Sequence, residues 1–185
     1  MARVLVPLAP GVEEMEAVIV IDTLRRAGWE VVAAAMSDMQ VLASRGVKLV
    51  CDTAWTNVDP ATFDVLVIPG GAGGTRALVA DEQVLEAVRS FVQAGKTAAA
   101  ICAGPLVLQA AGVLEGRRAT CHPAARADLT QPAEITDDRV VVDGHVVTSQ
   151  GPGTAFEFAL ALVRELDGPE AATAIAEGLV MPPGT

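Results

Sequence analysis

Short apolar runs without polar alternation recur along this chain, and most are followed by a stretch of helical periodicity. The runs are RVLVPLA (3–9), WEVVAAAM (29–36), FDVLVI (63–68) and TAAAI (97–101). Helical patterns over 12–27 and 81–94 stop just before Gly28 and Gly95, as helices do when a left-handed residue must follow. A strand that is apolar on both sides must be covered on both faces, which is the rule for parallel sheets. The pattern therefore predicts an α/β fold, a doubly wound sandwich with a mostly parallel sheet and helices on both faces. Residues 47–51 read as a short extended piece. The segments 139–142 and 145–149 flank Asp143-Gly144 and signal a β-hairpin in the C-terminal third. Further helices are expected at 105–111, 154–166 and 169–178. All 185 residues are expected to form one domain, with 181–185 as a loose tail.

Ligands of such sheets sit beyond the carboxyl ends of the strands. Three loops therefore matter: those after the first strand, after Ile68 and after Ile101. The third reads AAAICAGPLVL, an apolar run that stops at Cys102 and passes through Ala103-Gly104 to Pro105. Strand, cysteine, small residues and helix outline a nucleophile elbow, whose tight turn tolerates only small neighbours. Pro105 suits a first helical turn, and the free amides there favour a negative sulfur, so a depressed thiol pKa is expected. Spacing alone is equally compatible with a buried structural cysteine.

The second loop, Pro69-Gly70-Gly71-Ala72-Gly73-Gly74, lies at the same sheet edge. Its glycines let backbone amides approach a ligand, or form a plain flexible connection. It lacks the lysine of a phosphate loop, and no strong helix is expected to open from it. In the first loop, Glu13 and Glu14 are explained by the helix dipole. Glu16 shares a helical face with Ile19 and Val20, which turns it toward the core, where burial raises a carboxyl pKa. His122, in Thr-Cys-His-Pro, cannot be placed by spacing. Thr154 with Glu157 fits a capping box, which gives the TSQGPGT stretch a structural reading.

A formal net charge of −10, with the basic residues dispersed, disfavours nucleic acid and anionic membrane as partners. No apolar run is long enough to span a bilayer. Cys51, Cys102 and Cys121 have no close pairing, which predicts reduced thiols and a cytoplasmic location. Two histidines in no ligand spacing predict no metal site.

Taken together, GVEEMEAV, LRRAGWEV, SRGVKL, FDVLVIPGG, AAAICAGP, CHP and TSQGPGTAFEFAL resemble the ThiJ/PfpI superfamily nearly end to end. The likeness is to the branch of the Parkinson-disease-associated deglycase and its bacterial YajL-type relatives. It implies a flavodoxin-like sandwich and a homodimer. It also implies a nucleophile at Cys102, a partner acid at Glu16 and a nearby histidine at His122. Oxyanion-type amides fall on Gly71 and Ala103. Pocket residues fall on Gly70, Arg26, Arg45, Gly151 and Pro152. Gln150 stands where some members carry arginine. No H-x-E pairing follows the elbow, so the glutaminase relatives fit poorly. The implied activity is a cofactor-free glyoxalase or deglycase acting on small aldehydes such as methylglyoxal and glyoxal, or on glycated side chains. A redox sensor or chaperone working through Cys102 is the alternative, and a cysteine peptidase ranks last.

Overall fold

The computed structural model describes residues 1–182, so residues 183–185 of the expected tail lie outside the described residues. In chain order the elements are β1 (Arg3–Leu8), α1 (Glu14–Arg26), β2 (Glu30–Ala35), β3 (Gln40–Leu42), β4 (Lys48–Val50) and β5 (Thr53–Ala54). Then come β6 (Val65–Ile68), α2 (Ala72–Val79), α3 (Glu82–Gln93), β7 (Thr97–Ile101) and α4 (Pro105–Ala110). The last third holds β8 (Arg118–Ala119), β9 (Glu134–Ile135), β10 (Val140–Asp143), β11 (Val146–Ser149), α5 (Ala155–Asp167) and α6 (Pro169–Gly178).

Seven strands form the central sheet in the order β10-β11-β7-β6-β1-β2-β5, and all neighbours are parallel except β10 with β11. Alternate residues of the buried strands feed two cores. Val4, Val6, Val65, Val67, Ala99, Ile101 and Val147 face α1, α5 and α6 through Leu24, Phe158, Leu162 and Ala172. Leu5, Leu66, Ile68, Ala98, Ala100 and Val146 face α2, α3 and α4 through Leu78, Val88, Phe91 and Leu108. This is the doubly wound α/β sandwich expected from the unalternated strands, and it is flavodoxin-like, as the resemblance implied. Truncating a core side chain such as Phe158 to alanine is expected to cost about 3–5 kcal/mol.

Four local features depart from the sequence reading. Residues 40–42 and 48–50 pair as a small antiparallel hairpin outside the main sheet. A helix does open from the glycine loop, as α2. The Asp143-Gly144 turn moves one residue on, to Gly144-His145, with Gly144 at φ 59° and Asp143 paired to Val146. Asp143 is held in its strand by a carboxylate that accepts from the Arg118 amide at 2.8 Å. Finally, no capping box forms at α5: the Thr154 hydroxyl turns back to Gly151, and Glu157 pairs with Arg139.

Between β5 and β6 the chain makes only two single 3-10 turns, Trp55–Asn57 and Pro60–Thr62, where a crossover helix could lie. A cleft of about 610 Å³ separates these turns from α3. Among the described residues, no helix is long and apolar enough to cross a membrane.

Candidate active site

The carboxyl edge of β6, β7 and β1 gathers three loops into one tightly packed point. β7 is buried along Ala98–Ile101 and delivers Cys102, whose φ is +65°. A side-chain-bearing residue in the left-handed region is strained, and only surrounding structure holds it there. Here the backbone does so on both sides. The Cys102 amide donates to Ser149 O at 2.9 Å, and Cys102 O accepts from the His122 amide at 2.9 Å. Gly104 has no alternative residue at this turn, because a Cβ on it would lie 2.6 Å from Ile68 O. The strand ends just before a half-buried Cys102, and the tight turn there has the backbone shape expected from the sequence.

β6 runs into Pro69-Gly70-Gly71. A Cβ on Gly71 would sit 2.3 Å from Gly11 O, so this loop and the one after β1 touch backbone to backbone. A Cβ on Gly70 would sit 2.5 Å from Cys102 Cβ, 2.7 Å from Glu16 Oε2 and 3.0 Å from Cys102 Sγ. Gly70 is thus the gap through which acid and thiol meet.

α1 begins with three carboxylates that do three different jobs. Glu13 caps the helix by accepting from the Glu16 amide at 2.8 Å. Glu14 accepts from Ser44 Oγ at 2.9 Å and from the Arg45 amide at 2.8 Å, and so anchors the loop after β3. Burial alone would raise its pKa, but the hydrogen bonds it accepts hold it below the ordinary value. Glu16 is wholly buried; its Oε2 accepts from the Gly70 amide at 2.7 Å, while Oε1 has no hydrogen bond of good geometry.

Burial pushes Glu16 up to about 7, against the lowering contributed by Cys102 and the Gly70 amide. Burial and then the neighbouring Glu16 charge push Cys102 up to about 12, against the amides of Gly71 and Ala103, which donate toward the sulfur. This reverses the expectation of a depressed thiol: the elbow amides act as foreseen, but desolvation and a like charge outweigh them. The two groups titrate as a pair. One proton leaves near neutrality, and the pair then resists losing the second.

His122 stands beside this pair through its backbone. Its Nδ1 accepts from the Ala124 amide at 3.1 Å, which leaves the neutral ring's proton on Nε2. Its Cδ2 packs against Gly151, where a Cβ would come within 3.2 Å. Gly151 and Pro152 form the adjoining wall. Arg45 lies exposed in the loop bonded to Glu14, at the start of α1. Arg26 is not brought to the site within this chain. It is ten residues beyond Glu16 on α1, about 15 Å along the helix, and pairs with Asp22 on the exposed surface. Gln150 turns aside and donates to Asp137 O at 2.9 Å. Cys51 and Cys121 are buried, and burial pushes both thiols up, as suits inert hydrophobic residues.

The cleft beside α3 carries no such chemistry. Its Glu82 and Glu86 are tied to Arg89, and its Lys96 is spent on the carbonyls of Ala61 and Phe63. The reactive constellation, not this cleft, marks the candidate site.

Comparison with known proteins fits this geometry. The chain is 44% identical over 179 residues to Protein dj-1beta of Drosophila melanogaster, covering 96% of each. The crystal structure of Drosophila DJ-1beta superposes with a TM-score of 0.94 at 42% identity over 98% of both chains. A Caenorhabditis elegans relative named Glutathione-independent glyoxalase DJR-1.2 is 39% identical over 170 residues, 91% of this chain and 90% of its own. Protein DJ-1 homolog B of Arabidopsis thaliana is 44% identical over 91% of this chain, which spans only 39% of that longer protein. The model of the DJ-1/PfpI family matches residues 2–165, and the chain belongs to that family.

Proposed function

We propose that this protein is a cysteine-dependent, cofactor-free glyoxalase or deglycase acting on methylglyoxal, glyoxal or their early adducts. One observation carries the reading: a strained, half-buried Cys102 in hydrogen-bond contact with a wholly buried Glu16 carboxyl. The name of the nematode relative supports the same chemistry.

Sγ of Cys102 adds to the aldehyde carbon. The thiol proton passes to the Glu16 carboxylate as the C–S bond forms, the carbonyl electron pair moves to oxygen, and that oxygen takes the proton back from Glu16 to give a hemithioacetal. The Glu16 carboxylate then removes the hydrogen of that carbon as a proton, leaving an ene-diol with the neighbouring carbon. Returning the proton to the neighbouring carbon gives a 2-hydroxy thioester. Water attacks the thioester, the C–S bond breaks, and lactate leaves with the thiol restored. The aldehyde carbon is oxidised by the same two electrons that reduce its neighbour, so the sequence balances without an external oxidant. Glu16 near pKa 7 suits a group that both takes and returns a proton. Amides of Gly71 and Ala103 hold negative charge at the elbow, and His122 Nε2–H assists at the substrate oxygen.

Exposed Met15 and Val18 on α1, with Leu42, Val47 and Val50 on the β3–β4 hairpin, support a homodimer through this face. Val18 and Val50 line one shared cleft, which joins α1 to the hairpin on this face. Val50→Asp should give monomers in sedimentation velocity; an unchanged dimer would move the interface elsewhere. Three free thiols support a reducing, cytoplasmic setting.

The test is lactate formation from methylglyoxal by reduced protein without glutathione, beside Cys102→Ser and Glu16→Gln. Turnover should vanish in the first and fall on the order of 10²-fold or more in the second. No lactate from the unmodified reduced protein would overturn the reading and leave oxidation of Cys102 as the activity to pursue.

A further inference from the structure

β11 ends in two consecutive hydroxyl residues, Thr148 and Ser149, both wholly buried. Successive strand residues point to opposite faces, and each hydroxyl holds a different part of the site. Thr148 Oγ1 accepts from the Thr120 amide at 3.0 Å, on the face that carries the 118–137 segment. Two residues later that segment presents His122. Ser149 Oγ donates to Arg139 O at 2.7 Å and lies 2.6 Å from Thr154 Oγ1 on the α5 face. Thr154 Oγ1 accepts from the Gly151 amide at 3.1 Å, which sets the wall against the His122 ring. Between them, in the plane of the sheet, Ser149 O accepts from the Cys102 amide.

We propose that Thr148 and Ser149 are positioning residues, which hold His122 from one face of the sheet and the Gly151-Pro152 wall from the other, with Cys102 between. The need is clearest on the His122 side. β8 and β9 are two residues each, so this segment has little ladder of its own to fix it. Thr120 is wholly buried, and without Thr148 Oγ1 its amide has no acceptor. Ser149 acts differently: losing its hydroxyl takes one of three contacts from Thr154 Oγ1, which keeps its bonds to Gly151, and so loosens the wall while leaving the backbone bond to Cys102 in place.

The inference rests on the reading of Cys102 and His122 as partners, so its test includes measurements made without substrate. Thr148→Val keeps shape and removes the acceptor; Thr148→Ser keeps the acceptor. In Thr148→Val, kcat should fall ~10-fold with KM unmoved. The same change on a His122→Gln background should have no further effect, and Thr148→Ser should restore kcat. The His122 ring resonances should move in Thr148→Val and not in Thr148→Ser, whether or not methylglyoxal is a substrate. In Ser149→Ala, KM should rise while the pH profile of Cys102 alkylation by iodoacetamide stays that of the unmodified protein. Thermal melts of each variant separate positioning from loss of fold. Equal losses in the two His122 backgrounds, unmoved His122 resonances, or a change in Tm with no change in kcat or KM would overturn the proposal.

Discussion

Cys102 and His122 reach the same point by opposite means. The elbow that carries Cys102 extends a fully buried parallel strand, and glycines with no room for a Cβ wedge it from every side. The segment that carries His122 has two-residue strands, one 3-10 turn and exposed ion pairs such as Arg118–Glu134 and Arg126–Asp137. Cys102 is therefore fixed by backbone geometry that few substitutions can relax. The histidine is fixed by a short set of hydrogen bonds that can be removed one at a time. The elbow also carries a free-energy burden that the His122 segment lacks, because two ionisable groups are desolvated side by side.

Three substitutions sharpen that contrast, in descending size. Glu16→Gln removes the elbow's electrostatic burden while leaving an acceptor for the Gly70 amide. The folded pKa of Glu16 is raised from 4.5 to about 7, so the folded state binds the proton more tightly. Its burial is therefore uncharged and harmless below the unfolded value. The cost develops as pH rises from 4.5 toward 7 and is complete above that. Urea melts should show the variant gaining about 3 kcal/mol relative to the unmodified protein between pH 4.5 and pH 8. A constant difference across that range would mean the carboxyl is not protonated by burial. Gly70→Ala pushes a methyl between acid and thiol. Turnover should fall on the order of 10²-fold, roughly 2.7 kcal/mol in the barrier, and the overpacking should cost about 1–3 kcal/mol of stability. Activity near normal would show that the elbow yields more than its contacts imply. Arg126→Ala strips an exposed ion pair from the His122 segment. It should change stability by under about 1 kcal/mol, and raised salt should mask the difference.

The sandwich was readable because strands such as Val65–Ile68 are apolar on both sides, and that has one structural explanation. Cys102 and Glu16 were readable for a related reason: a turn signal and a helical projection are local geometry. What escaped depends on contacts between distant segments. Helix α2 begins Ala72-Gly73-Gly74, a poor helical sequence, yet a Cβ on Gly73 or Gly74 would meet the Gly11–Val12 backbone at 3.1 or 3.0 Å. Close approach, not propensity, explains both the glycines and the helix. The β3–β4 hairpin was half visible, since Gln40–Leu42 is too short to show a period. The direction of the thiol shift was missed because the dipole and the amides are local to the elbow. Burial by the surrounding loops, and then the carboxylate that arrives from α1, reverse their effect. Arg26 was carried over by resemblance, and helix length separates it from Glu16. Thr148 and Ser149 read as ordinary strand residues until the structure gave their hydroxyls partners.

The two 3-10 turns that stand between β5 and β6 have a consequence for how the molecule breathes. Residues 55–64 cover one face of the sheet with little repeating hydrogen bonding of their own, next to a cleft rather than a packed helix. Amide exchange there should proceed through small local openings, long before β6 and β7 exchange by global unfolding. Trp55 lies at the seam and would report that opening, while the elbow, anchored on the two central strands, would stay closed to exchange.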